Sequence, residues 1–236
     1  MEQWPKNEGD GKENKDRENK KEVEEHLVEV FEKGLEDEEC IGYHGTSLEA
    51  VEYMLEHGHL PGSCEADSEY GYEKGSLFFY PRKAAFPDYP GSENFFDNDE
   101  DAIRDTKVYA DIIARFHYIV KALGLDLGNP EHQYLGRVLG EGDSPEAEEI
   151  IAKLITERGK TRQEIKDILR DAQKRKGVVI SLDKKKLEKH KLGAGDDSLA
   201  GQDLRVICPE GLDFMNISGL EPAGQEEWDF FKTLVK

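Results

Sequence analysis

The sequence predicts an α+β fold, and three observations favour this class. Helical and strand-like patterns alternate in the first half of the chain, whereas the strand-like segments after position 177 follow one another without helices between them. Strands without helical crossovers pair in an antiparallel or mixed sheet rather than in a doubly wound parallel one. Two capped helical segments between positions 144 and 176 further predict a helical hairpin inserted into this architecture.

The composition predicts a charged tail followed by a single domain. The chain has 236 residues, and residues 5–21 carry no apolar side chain apart from a proline. Such a segment buries too little surface to offset the entropy of ordering it. We therefore expect residues 1–21 to be disordered and residues 22–236 to form one folded domain.

The charge and the cysteines restrict the class of protein. A formal net charge of −20 argues against a general nucleic-acid binder, because contacts with phosphates need clustered lysine and arginine. No run of 18 apolar residues indicates a membrane span. Cys40, Cys64 and Cys208 lack metal-like spacing and form an odd set, which is typical of reduced structural thiols. We expect a cytoplasmic protein without a membrane partner.

The first elements are predicted from apolar periodicity and helix-ending glycines. Residues 22–33 place apolar side chains on one helical face, and Gly34 ends that helix. Residues 41–44 predict a short strand. The Thr46-Ser47-Leu48-Glu49 segment has the spacing of a capping box, with Thr46 as the cap of a helix that stops at Gly58.

The remaining elements follow from the same rules. The aromatic run at 76–80 predicts a buried strand, and residues 81–100 predict a long ordered loop. Further predictions, in chain order, are a helix at 101–123, a loop at 124–142, helices at 144–158 and 161–176, a strand at 177–183, a loop at 184–201, strands at 203–209 and 214–218, and an apolar C-terminal tail that packs back on the domain.

The segment Tyr43-His44-Gly45-Thr46-Ser47 carries the strongest chemical signal. It lies between a strand and a helix, where backbone N–H groups are available to a ligand. A histidine there can donate and accept hydrogen bonds near neutral pH. The structural alternatives are a histidine at a helix start and a glycine that supplies a positive φ angle.

This segment and four later ones resemble the ADP-ribosyltransferase fold. The 43–47 segment is similar to the first motif of that family, the strand at 76–80 to its second strand, the segment around Tyr109 to the Tyr-Ala helix that follows, and residues 177–183 to the central strand. The segment beginning Gln202-Asp203-Leu204-Arg205 resembles the third motif, in which a glutamate usually opens a strand.

The resemblance implies an NAD site. It assigns His44 to a ribose hydroxyl, Gly45 to the nicotinamide amide through its backbone, and an aromatic ring, Tyr80 or Tyr109, to stacking on the nicotinamide. Thr46 belongs to the same cofactor-binding motif and is also the predicted cap of the helix that follows. Tyr80 and Tyr109 also suit the core, where aromatic residues are common.

The sequence departs from the family pattern at the third motif. Asp203 stands where the resemblance implies a catalytic glutamate that stabilises the oxocarbenium-like transition state, and Arg205 stands where arginine-directed members carry a second glutamate. Aspartate is one methylene shorter, and transfer chemistry is sensitive to displacements of about 1 Å. Arg205 suits a phosphate instead.

Other polar clusters predict no metal site. His57 and His59 flank a helix end without a third ligand at useful spacing, and the acidic loops near 65–69 and 196–197 lack the EF-hand pattern. The basic cluster at 184–191 is either a solvated loop or a contact for a polyanion or RNA end.

The sequence therefore predicts an NAD-dependent ADP-ribosyltransferase, with His44 and Asp203 as the catalytic pair, acting on a macromolecular acceptor that is a protein or a nucleic-acid end. Two alternatives remain open. One is a non-catalytic nucleotide- or protein-binding module on the same fold. The other is an RNA 2′-phosphotransferase-like enzyme, which needs more basic residues around its pocket.

Overall fold

The computed structural model describes residues 9–35, 40–61, 76–86, 88, 92, 95–187, 192–194, 204–208 and 211–235. Helices and antiparallel strands are both present, which confirms the α+β class. The helices are α1 (Gly9–Lys33), α2 (Leu48–His57), α3 (Asp99–Ala122), α4 (Pro130–Glu141), α5 (Pro145–Arg158), α6 (Arg162–Ala172), α7 (Lys184–Leu187) and α8 (Gln225–Leu234). The strands are β1 (Cys40–Thr46), β2 (His59–Leu60), β3 (Ser76–Pro81), β4 (Val178–Asp183), β5 (Leu192–Ala194), β6 (Leu204–Ile207), β7 (Leu212–Asp213) and β8 (Ile217–Pro222).

The main sheet has six strands in the order β5-β6-β3-β1-β4-β8. Every neighbouring pair is antiparallel, and β2 pairs with β7 in a separate ribbon. Strand β1 lies between β3 and β4, with Tyr43 opposite Tyr80 on one side and His44 opposite Ile180 on the other. The motif that carries the chemical signal therefore occupies the middle of the sheet.

The two faces of the sheet are covered by different helices. On β4, Val178, Ile180 and Leu182 pack into a core that also contains residues of α1, α2 and α8. Val179 points the other way and packs with Tyr43 and with Ala102 of α3. This alternation follows from the two-residue period of a strand, and burial on both faces explains why β4 is apolar from Val178 to Leu182 apart from Ser181.

Helix α3 approaches the sheet closely because small residues meet at the contact. A Cβ atom added to Gly45 would lie 2.8 Å from the backbone nitrogen of Ala110 and 2.9 Å from the carbonyl oxygen of Thr106. A Cβ added to Gly177, just before β4, would also collide with Ala110. Since such distances are below van der Waals contact, glycine at both positions fixes the separation of α3 from the sheet.

Helices α3 to α6 form a second apolar cluster beside the sheet. Its buried residues include Ile119 of α3, Leu139 of α4, Leu154 of α5 and Ile165 of α6. The hairpin predicted for residues 144–176 is confirmed as α5 and α6, and its caps are the predicted ones. Ser144 accepts a hydrogen bond from the backbone of Ala147, and Thr161 forms a capping box with Glu164.

The structure corrects three predictions of local structure. Residues 9–21, predicted as part of an unstructured tail, are assigned to helix α1, whose later turns pack on the core. Residues 130–141, predicted as loop, form α4. The Asn129 side chain caps α4 by accepting from the backbone of Glu131, and Pro130 occupies its first position.

The third correction concerns the start of α2. Thr46 is the last residue of β1 and is buried, whereas Ser47 is the N-cap and accepts a 3.0 Å hydrogen bond from the backbone nitrogen of Ala50. The predicted end at Gly58 is confirmed, because Gly58 adopts a left-handed conformation with φ 81°.

Smaller differences lie near the C-terminus. Residues 214–216 form a 3-10 turn before β8, so the last strand begins three residues later than predicted. Short elements α7 and β5 lie within the loop predicted for 184–201. The apolar tail packs back as expected, since Phe231 is buried and both Trp228 and Phe231 contact the ring of Phe31.

Two further predictions concern the thiols and the membrane. Cys40 and Cys208 are both buried, and Cys64 lies outside the described residues. In the described part of the chain, no helix is both long enough and apolar enough to cross a bilayer.

Candidate functional site

A cavity of about 300 Å³ lies at the end of β1, between the sheet and helices α3 and α4. Strand β1 contributes one wall and the two helices contribute the other. The residues that border it are His44, Gly45, Thr46, Pro61, Leu77, Phe78, Tyr109, Ile112, Ile113, Phe116, His117, Gln133, Tyr134 and Arg137. Its lining is mostly aromatic and aliphatic with a few polar groups, as is typical of small-molecule sites.

His44 is fixed in one orientation by the neighbouring strand. Its Nδ1 lies 2.6 Å from the carbonyl oxygen of Phe78 on β3. Since a carbonyl only accepts, Nδ1 carries the proton and donates it, and Nε2 of the neutral ring is left as an acceptor. Burial lowers the pKa of His44 from 6.5 to about 4, and the bond to Phe78 opposes that shift only partly. The ring is therefore neutral at pH 7.

A second imidazole borders the same cavity. His117 of α3 has its Nδ1 2.8 Å from Oγ of Ser47, the cap of α2. Burial and, to a smaller extent, the nearby charge on a protonated His44 together lower the pKa of His117 from 6.5 to about 4. The two rings thus oppose each other's protonation, so both are neutral near pH 7 and offer hydrogen-bonding nitrogens without a charge.

Gly45 and Thr46 complete the strand wall. Gly45 does not have a positive φ angle, so the alternative that it supplies a left-handed turn is wrong. Glycine is required there because the backbone of α3 passes too close for a Cβ atom. Thr46 is buried beside it and borders the cavity, although it does not cap α2.

The helical wall carries the remaining polar groups. The Tyr134 hydroxyl donates a 2.7 Å hydrogen bond to Glu146 of α5, and the Arg137 guanidinium lies 5.1 Å from the centre of the Tyr134 ring. Tyr134 also borders a second cavity of about 390 Å³ between α4 and α5. This second cavity combines apolar side chains with Glu131, Glu149 and Glu157. Tyr134 therefore separates the two cavities.

The structure brings four of the predicted site residues together. His44, Gly45, Thr46 and Tyr109 all border the first cavity. Tyr80 lies elsewhere, with its ring 5.8 Å from that of Phe96, in a cluster that includes Tyr43. Of the two candidates for a stacking ring, only Tyr109 borders this cavity.

The third-motif residues are less completely placed. The backbone of Arg205 in β6 pairs with Phe78, whose carbonyl holds His44. The side chain of Arg205 and the whole of Asp203 lie outside the described residues.

Several cavity residues were not predicted as functional. His117 lies eight positions after Tyr109, so it shares a helical face with Tyr109 and Ile113, and the periodicity of α3 contains that signal. Gln133, Tyr134 and Arg137 belong to α4, which the sequence did not predict. A correct assignment of the Asn129-Pro130 cap would have revealed this wall.

Within the described ranges, no group of three or more histidine, cysteine, aspartate or glutamate side chains is arranged to hold a metal ion. No protein-family model, no curated protein sequence and no solved structure matches this chain, so its site is defined by its own residues.

Proposed function

We propose that the first cavity binds the nicotinamide riboside half of NAD and that the chain transfers ADP-ribose to a macromolecular acceptor. The observation that carries this proposal is that His44, Gly45 and Thr46 border one cavity together with the aromatic ring of Tyr109. The cavity volume of about 300 Å³ is at the lower end of the range for ligand sites, which suits part of a dinucleotide.

The orientation of His44 supports its role toward ribose. With Nδ1 donating to Phe78, Nε2 accepts a hydrogen bond, and a ribose hydroxyl is a matching donor. The ring is uncharged at pH 7, which matters because the nicotinamide and the ribose that loses it both carry positive charge during the reaction. A cationic histidine would repel that charge.

The remaining roles come from the family resemblance. It assigns Asp203 to the ribose and the developing oxocarbenium ion, Gly45 to the carboxamide, and Arg205 to a phosphate. Arg137, a cation on the helical wall, is a second candidate for a phosphate contact. The adjacent cavity beyond Tyr134 offers an acceptor a route to the site between α4 and α5.

A second candidate function is binding of the nucleotide without turnover. The observation that favours it is the absence of any carboxylate among the described residues that border the first cavity. Glycosyl transfer needs an anionic group near the sugar, and Asp203 is the candidate for that role. The RNA 2′-phosphotransferase alternative has less support, since Arg137 is the sole lysine or arginine among the described lining residues.

The test is NAD binding and turnover by the purified chain. We expect NAD to raise the midpoint of thermal unfolding and nicotinamide to be released over time. His44→Ala should weaken NAD binding about tenfold, because one buried hydrogen bond contributes roughly 1–1.5 kcal/mol.

The matched control is His57→Ala, which removes an exposed histidine on α2 that does not border the cavity. Binding without nicotinamide release would support the module. No thermal shift with NAD would reject both NAD proposals.

A further inference from the structure

His117 and its contact with Ser47 have no role in the NAD binding proposed above. The imidazole borders the cavity, and behind it Ser47 is completely buried at the start of α2. The contact joins residues 70 positions apart, since α3 and the turn after β1 converge there. It thus connects a group on the cavity surface to the interior of the protein.

Ser47 holds one of the two ring nitrogens of His117. Oγ of Ser47 accepts from the backbone nitrogen of Ala50 at 3.0 Å and lies 2.8 Å from Nδ1 of His117. A hydroxyl oxygen has two lone pairs, so it can also accept from an imidazole N–H. We take Nδ1–H of His117 as the donor in this contact, which leaves the lone pair of the neutral ring on Nε2.

The cavity then contains two histidines of the same tautomer. In each, Nδ1–H donates to a fixed oxygen, from Phe78 for His44 and from Ser47 for His117, and Nε2 is the acceptor. NAD transfer requires one such acceptor for the ribose. The second is available for another donor group, which in a transfer reaction belongs to the nucleophile.

We propose that His117 is the general base that takes the proton from the acceptor, and that the acceptor group is a hydroxyl. The proposal rests on the function proposed above. A carboxylate acceptor has no proton to remove, so it would make a base unnecessary. A guanidinium acceptor would need a carboxylate beside it, and none of the described lining residues supplies one.

The transfer exchanges one bond to C1′ of the ribose for another. The bond between C1′ of the ribose and the nicotinamide nitrogen breaks, and its electron pair leaves with nicotinamide, which becomes neutral. The hydroxyl oxygen forms the new bond to C1′, and its proton passes to Nε2 of His117. The resulting imidazolium is held through Nδ1–H by Oγ of Ser47, and it then releases the proton to water.

The probe is nicotinamide release from NAD, with water or sodium azide as the nucleophile. Water needs a base, whereas the azide anion attacks C1′ without losing a proton. We expect His117→Ala to slow the reaction with water at least 100-fold and azide to restore it to within about tenfold of the wild type. Ser47→Ala should slow the reaction with water about tenfold, since it leaves the imidazole in place without its partner.

The controls separate this inference from the proposed function. His44→Ala should not be rescued by azide, because its loss affects NAD itself, and His57→Ala should match the wild type with both nucleophiles. An unchanged thermal shift with NAD shows that His117→Ala is folded, and His117→Gln provides a second variant of similar size. Normal turnover by either His117 variant, or slow turnover that azide does not rescue, would overturn the role of His117 alone. A wild type that does not turn over NAD would overturn both proposals.

Discussion

The two walls of the first cavity are built in different ways. The strand wall, from His44 to Thr46, is held by the backbone of the sheet: β3 and β4 flank it, and a carbonyl of β3 orients His44. The helical wall, from Tyr109 to Arg137, is held by side chains packed between α3 and α4. Backbone geometry fixes one wall and packing fixes the other.

Because of this difference, a substitution is expected to affect the stability of the two walls differently. On the strand wall the limiting feature is the absence of a Cβ atom at Gly45, because the backbone of α3 lies against it. On the helical wall, Gly140 of α4 faces the ring of Phe116, a side chain that can rotate, whereas Gly136 also meets the Phe116 carbonyl oxygen. A backbone cannot give way as a side chain can. We therefore expect a substitution at Gly45 to cost more than one at Gly140.

The largest expected effect comes from Gly45→Ala. The added methyl group would lie 2.8 Å from the Ala110 nitrogen and 2.9 Å from the Thr106 oxygen, so α3 must move away from the sheet. Overpacking of this kind costs about 3 kcal/mol of the free energy of unfolding. Urea denaturation at pH 7.5 measures it.

The control for this substitution is Gly124→Asn. Gly124 has a positive φ angle, which asparagine tolerates, and open space around it. We expect a loss below about 1 kcal/mol. Equal losses for the two variants would contradict the close contact between β1 and α3.

The next effect is the dependence of stability on pH, which tests both walls at once. His44 and His117 have native pKa values of about 4, below the usual 6.5. Between pH 4 and pH 6.5, the two histidines bind protons in the unfolded chain but stay neutral in the native protein. The free energy of unfolding that comes from burying the neutral rings is therefore complete above about pH 6.5 and is lost as the pH falls toward 4. Allowing for the partial exposure of the rings, we expect a loss of about 2 kcal/mol.

Unfolding of the wild type and of His117→Gln at several pH values measures this loss. His117→Gln should remove the contribution of His117 to this loss and the repulsion between the two rings. The free energy of unfolding should then change less steeply with pH than in the wild type. The other ionisable groups on the cavity are the two tyrosines and Arg137, while Glu49 lies behind Ser47. If the free energy of unfolding of His117→Gln changed with pH as steeply as that of the wild type, His117 would not be buried in its neutral form.

The smallest effect concerns Tyr134. Tyr134→Phe removes the hydroxyl that donates to Glu146 but keeps the ring that separates the two cavities. Because this hydrogen bond is exposed, we expect a loss of about 0.5 kcal/mol and unchanged NAD binding. Tyr134→Ala opens the wall and should alter NAD binding at least fivefold. Equal NAD affinity for the two variants would show that this wall does not shape the site.

The fold was predictable where local patterns determine it. The strand at β4 is mostly apolar, with Ser181 as its one polar residue before Asp183, and α5 and α6 begin at serine and threonine caps that the sequence shows directly. Helix α4 was missed because Gly136 and Gly140 lower helix propensity, and what stabilises them is contact with Phe116 on another helix. That contact is tertiary and has no local signature.

The residues of the site were likewise predictable where they are close together in the chain. His44, Gly45 and Thr46 are adjacent in the chain, so a motif could indicate them together. His117 meets Ser47 only after α3 crosses the sheet, a separation of 70 positions. The cap of α2 was assigned one residue too early because Thr46 and Ser47 are both good caps, and the choice depends on where β1 ends.

Gly140 of α4 makes the size of the cavity adjustable from the helical side. Where β1 contacts α3, an added Cβ atom meets backbone, so widening the pocket there lowers the stability of the fold. A larger residue at Gly140 would instead push α4 away from the ring of Phe116 and enlarge the space in front of His44. Relatives with a bulkier residue at this position are therefore expected to accept larger ligands while keeping the same sheet.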